Sequence, residues 1–478
     1  MNKKFYDWKW DEIDSLVYLV AKDADVCSCV SKELEALKDR KLFEGKSGEM
    51  ATTVLVRDGK YYDLVFVGGA EKMDEKLFGA LAKAYRYLKG RKAVNIGFNF
   101  ENVSSGFKKL SRELGEIFTL ADYRFDEYKS DAKPSTVKNL YFKGFEADEK
   151  AFEEGVVLGE SNVFARMLVD MPANVLTPGK LASLAKEECE KYGIDVAIKD
   201  KDDIESLGMK AFLAVAQASS NEPRLIIMRY RGNPDSKETI GYVGKGLTYD
   251  SGGLSIKPTE GMLTMKCDMG GAGAVIGAIV GIARLGLKVN VTAVVAACEN
   301  MISGNSYKPG DIIGSMGGKT IFIANTDAEG RLTLVDAVTY ILQEEKVTKL
   351  VDVATLTGAA IRALGSSVTA TVTNNDAFYK NVKKSFDKAF EKIWRMPVFD
   401  EYKEALKHEN ADLTNSAAPG MQAAGLFIGE FVGETPWVHL DIAGPAFAGK
   451  AGAYFEKGAT GAAVRPLIYL AKRERDQE

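Results

Sequence analysis

The chain has 478 residues and a mass of 52.0 kDa, long enough for two substantial domains, each with its own core. A composition of 46% hydrophobic and 27% charged residues with only 12 prolines excludes a disordered, collagen-like or disulfide-dense chain. With 63 Lys and Arg against 67 Asp and Glu, the net charge of −4 and pI near 5.7 predict no general attraction to nucleic-acid backbones or anionic lipid.

At the start, Asp11, Glu12 and Asp14 stand where a signal peptide would need an apolar core. The five cysteines, Cys27, Cys29, Cys189, Cys267 and Cys298, form no disulfide framework and no CxxC pair. A cytoplasmic protein is therefore expected. From Ala51 to Tyr123, strand-like runs (ATTVLV, YYDLVFVGG, AVNIGFNF) alternate with a helix between Asp74 and Gly90, on which Leu77, Leu81, Ala84 and Leu88 make an apolar stripe. The polar stretch Tyr123 to Lys150 marks the edge of this module, and helical periodicity follows. The expected division is an N-terminal α/β domain over 1–150, a linker helix over 151–170 and a larger domain over 171–478.

In that larger part LIIMRY, TIGYVG, VTAVVAAC, TIFIA, LVDVATL, TATVT and WVHLDIAG read as strands separated by helical segments such as Leu332 to Glu345. The fold class is α/β: a central, largely parallel or mixed sheet flanked by helices, with functional residues expected where its strands end. The apolar run Met269 to Ala283 falls short of the ~20 residues of a spanning helix, so no membrane association is expected. Its glycines (Gly270 to Leu285) predict close helix–sheet contact rather than a cofactor site.

Two histidines, His408 and His439, exclude any mechanism built on several imidazoles. Gly317 to Thr320 resembles the end of a phosphate loop, but Ile313 replaces the first glycine and a strand follows. His408 and Glu409 begin a zincin pattern whose second histidine would fall at Asp412. Asp250-Ser251-Gly252-Gly253 looks like a serine nucleophile turn without a histidine partner.

A stronger pattern follows TIGYVG. Lys245 and Asp250 at a strand's carboxyl end, Lys257 after a glycine-rich turn and Asp268 before two glycines gather four ionisable groups in one crevice. Alone, this is equally a salt-bridged loop. Asp327, Glu329 and Arg331 then alternate between a strand and a helix, projecting three charges from one turn. Four carboxylates cannot converge uncompensated, but they would balance two divalent cations. Their hard oxygens suit magnesium, manganese or zinc.

The segments VGKGLTYDSGGLSIKP (Val243 to Pro258), CDMGG (Cys267 to Gly271) and NTDAEGRL (Asn325 to Leu332) resemble the leucyl, or cytosol, aminopeptidases. The resemblance extends to Leu168–Ala182, Ala354–Ala359 and His439–Gly444, across nearly all of the second domain. It implies a site of two divalent metals, Zn or Mn with Mg or Co possible. Asp250 and Glu329 would bridge them, Lys245 and Asp268 would complete the tighter position, and Asp327 would serve the exchangeable one. It further implies a neutral, metal-bound Lys245, Lys257 as oxyanion stabiliser, and Arg331 as holder of a bicarbonate that relays the water's proton. Met265, Thr355, Gly358, Ala443 and Ala446 would line a small apolar pocket suited to leucine or methionine, although Met265 alone reads more readily as ordinary core packing.

The implied activity is removal of N-terminal residues from short peptides through an activated water, by a homohexamer. Two other classes use the same features: a two-metal phosphoesterase, and a DNA-binding scaffold, against which the acidic pI argues.

Overall fold

The computed structural model describes residues 2–4, 8–21, 26–69, 73–101, 103, 110–144 and 148–475. The chain divides into two compact units: residues 1–160 with 451–456, and residues 161–450 with 457–478. The cut falls inside one long helix, Glu149–Asp170.

The first unit is built on a six-stranded sheet of β1 (Asn2–Lys4), β2 (Ser15–Val20), β3 (Met50–Arg57), β4 (Lys60–Gly68), β5 (Asn95–Asn99) and β6 (Asn139–Lys143), in the order β1-β6-β5-β2-β4-β3. All neighbours are parallel except β3 and β4. The predicted helix spans Glu75–Gly90, and Asp74 caps it by accepting the Leu77 N–H at 2.9 Å, a contact worth about 0.5–2 kcal/mol. Leu77, Leu81, Ala84 and Leu88 are all buried, as the stripe requires. Sequence reading missed three strands of this sheet, β1, β2 and β6. β2 is buried along its whole length, and β6 lies inside the stretch taken for a polar edge. Cys27 and Cys29 are bridged, a link between residues two apart that joins no separate elements; Cys189, Cys267 and Cys298 are free and buried.

The second unit carries an eight-stranded sheet: β7 (Asp195–Lys199), β8 (Arg224–Arg231), β9 (Ile240–Asp250), β10 (Asn290–Asn300), β13 (Lys349–Ala354), β14 (Val368–Thr373), β15 (Lys392–Arg395) and β17 (Trp437–Asp441). Their order is β15-β14-β17-β13-β9-β10-β8-β7. The central four, β17, β13, β9 and β10, are mutually parallel, while β14 against β17, β10 against β8 and β8 against β7 are antiparallel. β10 is buried at every position, as a strand covered on both faces must be.

TIFIA does not join this sheet. Only Ile321–Phe322 is extended, as β12 between β11 (Ile312–Ile313) and β16 (Leu413–Thr414).

The apolar helix runs Gly270–Arg284. Counted from Met265 it reaches 20 residues, longer than the run marked in the sequence, but 89% of its most apolar window is buried in the fold, as in a core helix. Its glycines permit the close contact expected. A Cβ on Gly271 would stand 1.9 Å from the Val353 carbonyl oxygen, and one on Gly277 2.6 Å from that of Ser161.

Candidate metal centre

The site forms at the carboxyl ends of the parallel strands. Lys245 lies within β9 and Asp250 ends it. Asp268 sits in the short turn Met265–Met269 that leads into the glycine-rich helix. Asp327 and Glu329 precede the helix Gly330–Gln343. Gly252 and Gly253 turn the chain after β9 with φ of 85° and 64°, a left-handed conformation that other residues resist. A Cβ on Gly252 would also stand 2.9 Å from Asp327 Oδ1.

Asp250, Asp327 and Glu329 each offer a carboxylate oxygen within 4.8 Å of the others. Lys245 Nζ joins Asp268 to this group, 2.8 Å from an Asp268 oxygen and 2.9 Å from Glu329 Oε1, and it also donates to the Thr355 carbonyl at 3.1 Å. Lys257 Nζ lies 2.8 Å from Asp250 Oδ2 and 2.5 Å from Asp327 Oδ1. The five expected ligands and Lys257 are thus one cluster.

Burial, reinforced by the charge of Asp250, raises the Glu329 carboxyl well above its ordinary value, and burial does the same to Asp268 against the pull of Lys245. Burial and then Asp250 raise Asp327. Burial alone would lower both lysines. The surrounding carboxylates, led by Asp268 for Lys245 and Asp250 for Lys257, outweigh it and hold both as ammonium ions.

The donor set fits divalent cations. Glu329 Oε2 is buried with no hydrogen-bond partner among the described residues, and Asp268 Oδ2 and Asp327 Oδ1 receive only ion-pair contacts from the lysines. Orphaned buried carboxylate oxygens are costly unless a cation meets them. Lys245 occupies the place between Asp268 and Glu329 as an ammonium; serving as an amine ligand requires loss of its proton, which a neighbouring cation favours.

Arg331 is buried beside this group. Its Nη1 donates to the Asn415 carbonyl at 2.8 Å, its Nε has no partner among the described residues, and burial lowers its guanidinium to about 10. Of the expected pocket residues, Thr355 and Ala446 meet around Gly270, where an added Cβ would lie 3.1 Å from Thr355 Cγ2 and 3.5 Å from Ala446 Cβ. Met265 is half-buried at the start of the turn carrying Asp268, Gly358 is exposed at the start of the helix Gly358–Leu364, and Ala443 is partly buried after β17.

Three further residues build the site without having been singled out. Asn300 ends β10 opposite Asp250 and donates to its Oδ1 at 2.8 Å and to the Thr326 carbonyl at 3.0 Å. Tyr307 donates to the same carbonyl at 2.7 Å. Asn415 holds the turn before Arg331, accepting the Ala324 N–H at 2.9 Å and donating to the Asn325 carbonyl at 2.7 Å. The only sequence signal was the position of Asn300 just beyond a predicted strand.

Comparison with known proteins points to one family. Residues 163–468 match the catalytic domain of the cytosol aminopeptidase family and residues 19–132 its N-terminal domain. A probable cytosol aminopeptidase of Clostridium perfringens is 46% identical over 458 residues, 93% of each chain. One from Clostridium tetani is 44% identical over 480 residues, 98% of this chain and 99% of that one. Among solved structures, a tomato leucine aminopeptidase mutant superposes with a TM-score of 0.87 at 32% identity, covering 99% of this chain and 96% of that one. The bottromycin maturation enzyme BotP in complex with Mn gives 0.85 at 30% identity, covering 97% and 99%. The phosphoesterase and DNA-scaffold alternatives gain no support from these likenesses.

Proposed function

Because the chain belongs to the cytosol aminopeptidase family, whose members are metal-dependent hydrolases, we propose that it releases leucine, methionine and similar apolar residues from the amino termini of short peptides, using two divalent cations per chain. The observation that carries this reading is the convergence of Asp250, Asp327 and Glu329 within 4.8 Å, with Asp268 tied in through Lys245. Asp250 and Glu329 would be shared by both cations, Lys245 and Asp268 would complete the tighter position, and Asp327 the exchangeable one. Bound there, the pair would supply an acidified water, a polarised carbonyl and an anchor for the substrate's free amine.

The chain's own groups do the rest. Lys257, kept protonated by Asp250 and Asp327, would donate to the oxyanion that develops on the scissile carbonyl. Arg331, with Nη1 committed to Asn415 and Nε without a partner among the described residues, would hold a bicarbonate through its planar guanidinium, and such an anion would supply a proton relay between the attacking water and the leaving amine. No histidine base is required. The small pocket of Met265, Thr355, Gly358, Ala443 and Ala446 would receive the first side chain.

Manganese or zinc is the favoured metal, with magnesium and cobalt able to substitute; the structure of BotP in complex with Mn supports the first. The cytoplasm is the proposed location, supported by the cytosolic naming of the relatives, and a homohexamer is the proposed assembly. The test is release of chromophore from aminoacyl amides by chelated protein restored with each metal in turn. Leucyl and methionyl amides should be cleaved; failure with all four metals would overturn the reading.

A further inference from the structure

Asp441 ends β17 and is fully buried, level with Ala354 of β13 on one side and Ala370 of β14 on the other. Its carboxylate gathers donors from two separate loops. Oδ2 accepts the Thr357 hydroxyl at 2.7 Å, while Oδ1 accepts the backbone N–H groups of Ala443 at 3.1 Å, Leu356 at 3.3 Å and Thr357 at 3.5 Å. The Thr357 hydroxyl in turn accepts the Ala360 N–H at 3.0 Å and so caps the helix Gly358–Leu364. One side chain therefore fixes the loop after β13 against the turn after β17.

Those two segments carry Thr355, Gly358, Ala443 and Ala446, four of the five residues assigned to the side-chain pocket. Thr355 also reaches the metal centre: its hydroxyl donates to an Asp268 oxygen at 2.9 Å and its carbonyl accepts from Lys245. Behind Asp441 the strand is braced on the same face. His439 Nδ1 lies 2.6 Å from Asp352 Oδ1, and Trp437 Nε1 donates to Asp352 Oδ2 at 2.7 Å.

A buried ionised carboxylate costs several kcal/mol unless it is well solvated by donors, so its presence calls for a compensating role. Two acceptor oxygens with four lone-pair directions can satisfy donors arriving from both loops. An asparagine must turn an N–H group toward one of them.

We propose that Asp441 is a positioning residue that sets the width of the pocket for the first side chain of the substrate, by holding the loop 355–358 in register with the turn 442–446. The proposal rests on the aminopeptidase reading above. The Asp441 carboxylate bonds to Thr357, Leu356 and Ala443 and to none of the proposed metal ligands or Lys257. Its removal should therefore loosen recognition of the side chain more than it slows the chemistry.

The test compares Asp441→Asn and Thr357→Val with the unaltered protein on leucyl and alanyl amides, with metal content measured on each sample. The valine variant removes the 2.7 Å bond to Asp441 together with the cap on Ala360, leaves the carboxylate in place, and keeps the test open should the asparagine variant fail to fold. For the variants, KM for the leucyl amide should rise about tenfold and the leucyl-to-alanyl ratio of kcat/KM should fall about fivefold or more. Turnover at saturation should stay within about threefold of the unaltered protein and the metal content should be unchanged. An unchanged ratio, with activity on both substrates falling equally, assigns Asp441 a purely structural role and overturns the proposal. No hydrolysis by the unaltered protein overturns the aminopeptidase reading itself, and this inference with it.

Discussion

Asn300 and Asp250 end neighbouring parallel strands in direct register, and the amide of Asn300 donates to Oδ1 of Asp250 at 2.8 Å. The Gly252 N–H meets the same oxygen at 2.8 Å, so Oδ1 is held from two sides while Oδ2 faces Lys257. The sheet thereby aims the carboxylate into the crevice. Asn300→Ala should weaken cation binding about 10- to 100-fold, the range for losing a group that orients a ligand. Calorimetric titration of the chelated protein with Mn measures this directly, and unchanged affinity would show that Gly252 alone orients Asp250.

Removal of metal should abolish hydrolysis, and Mn, Zn, Co and Mg should restore it to different degrees, because the donor set is almost entirely hard oxygen. Elemental analysis after saturation should approach two cations per chain. A value below about one would leave the two-metal scheme without support.

Substitutions at the cluster should separate binding from chemistry. Asp250→Ala or Glu329→Ala should lose both cations and all activity, since each deletes a ligand proposed to be shared. Lys257→Ala should keep the cations and lose about 10²- to 10³-fold in turnover, as for removal of one oxyanion donor. Unchanged turnover in that variant would remove Lys257 from the mechanism.

Two glycines should respond in opposite ways. A Cβ on Gly330 would stand 2.3 Å from Lys245 Cε and 2.6 Å from its Nζ, the far end of a flexible side chain that can move. Gly330→Ala should therefore fold but expel Lys245 from between Asp268 and Glu329, lowering metal content. On Gly271 the Cβ would meet the Val353 carbonyl at 1.9 Å and the Lys245 backbone nitrogen at 2.8 Å, atoms of the sheet itself. Gly271→Ala should cost stability first, by about 1–3 kcal/mol or more, as overpacking against backbone does. Thermal unfolding and metal analysis of the two proteins distinguish these outcomes.

Most of the candidate site residues were legible because they sit on two short contiguous segments, with Asp268 alone on a third. Lys245, Asp250 and Lys257 fall within 13 residues and Asp327, Glu329 and Arg331 within five, so their grouping needed no knowledge of strand order. Asn300, Asn415 and Asp441 were not legible, because each acts across the fold. Arg331 and Asn415 are 84 residues apart, as are Thr357 and Asp441, and no local period encodes such a pairing. The fold was read best where alternation or a helical stripe was long. The strands missed or overextended were short ones in other settings: β6 has five residues in a charged stretch, and the run containing β12 is apolar enough for a central strand yet only two of its residues pair. Tertiary context decides those cases.

The last expectation concerns assembly. A hydrolase that accepts any free amino terminus would attack folded and nascent proteins in the cytoplasm, and two devices can prevent this: a site too narrow for a chain to enter, or sites enclosed within a closed oligomer. Asp250, Asp268 and Glu329 are buried, but Asp327 and Lys257 are partly open to solvent, so the single chain does not seal its own crevice. Closure by copies of the same chain is the economical alternative, since soluble homo-oligomers adopt closed point groups, and a dimer of trimers encloses six sites at once. Light scattering in dilute buffer should therefore give the mass of six 52.0 kDa chains. A hexamer should also cleave dipeptide and tripeptide amides while sparing a folded protein with an exposed N-terminal leucine. The mass of a single chain, together with the same discrimination, would place the restriction in the crevice itself and leave the metal chemistry intact.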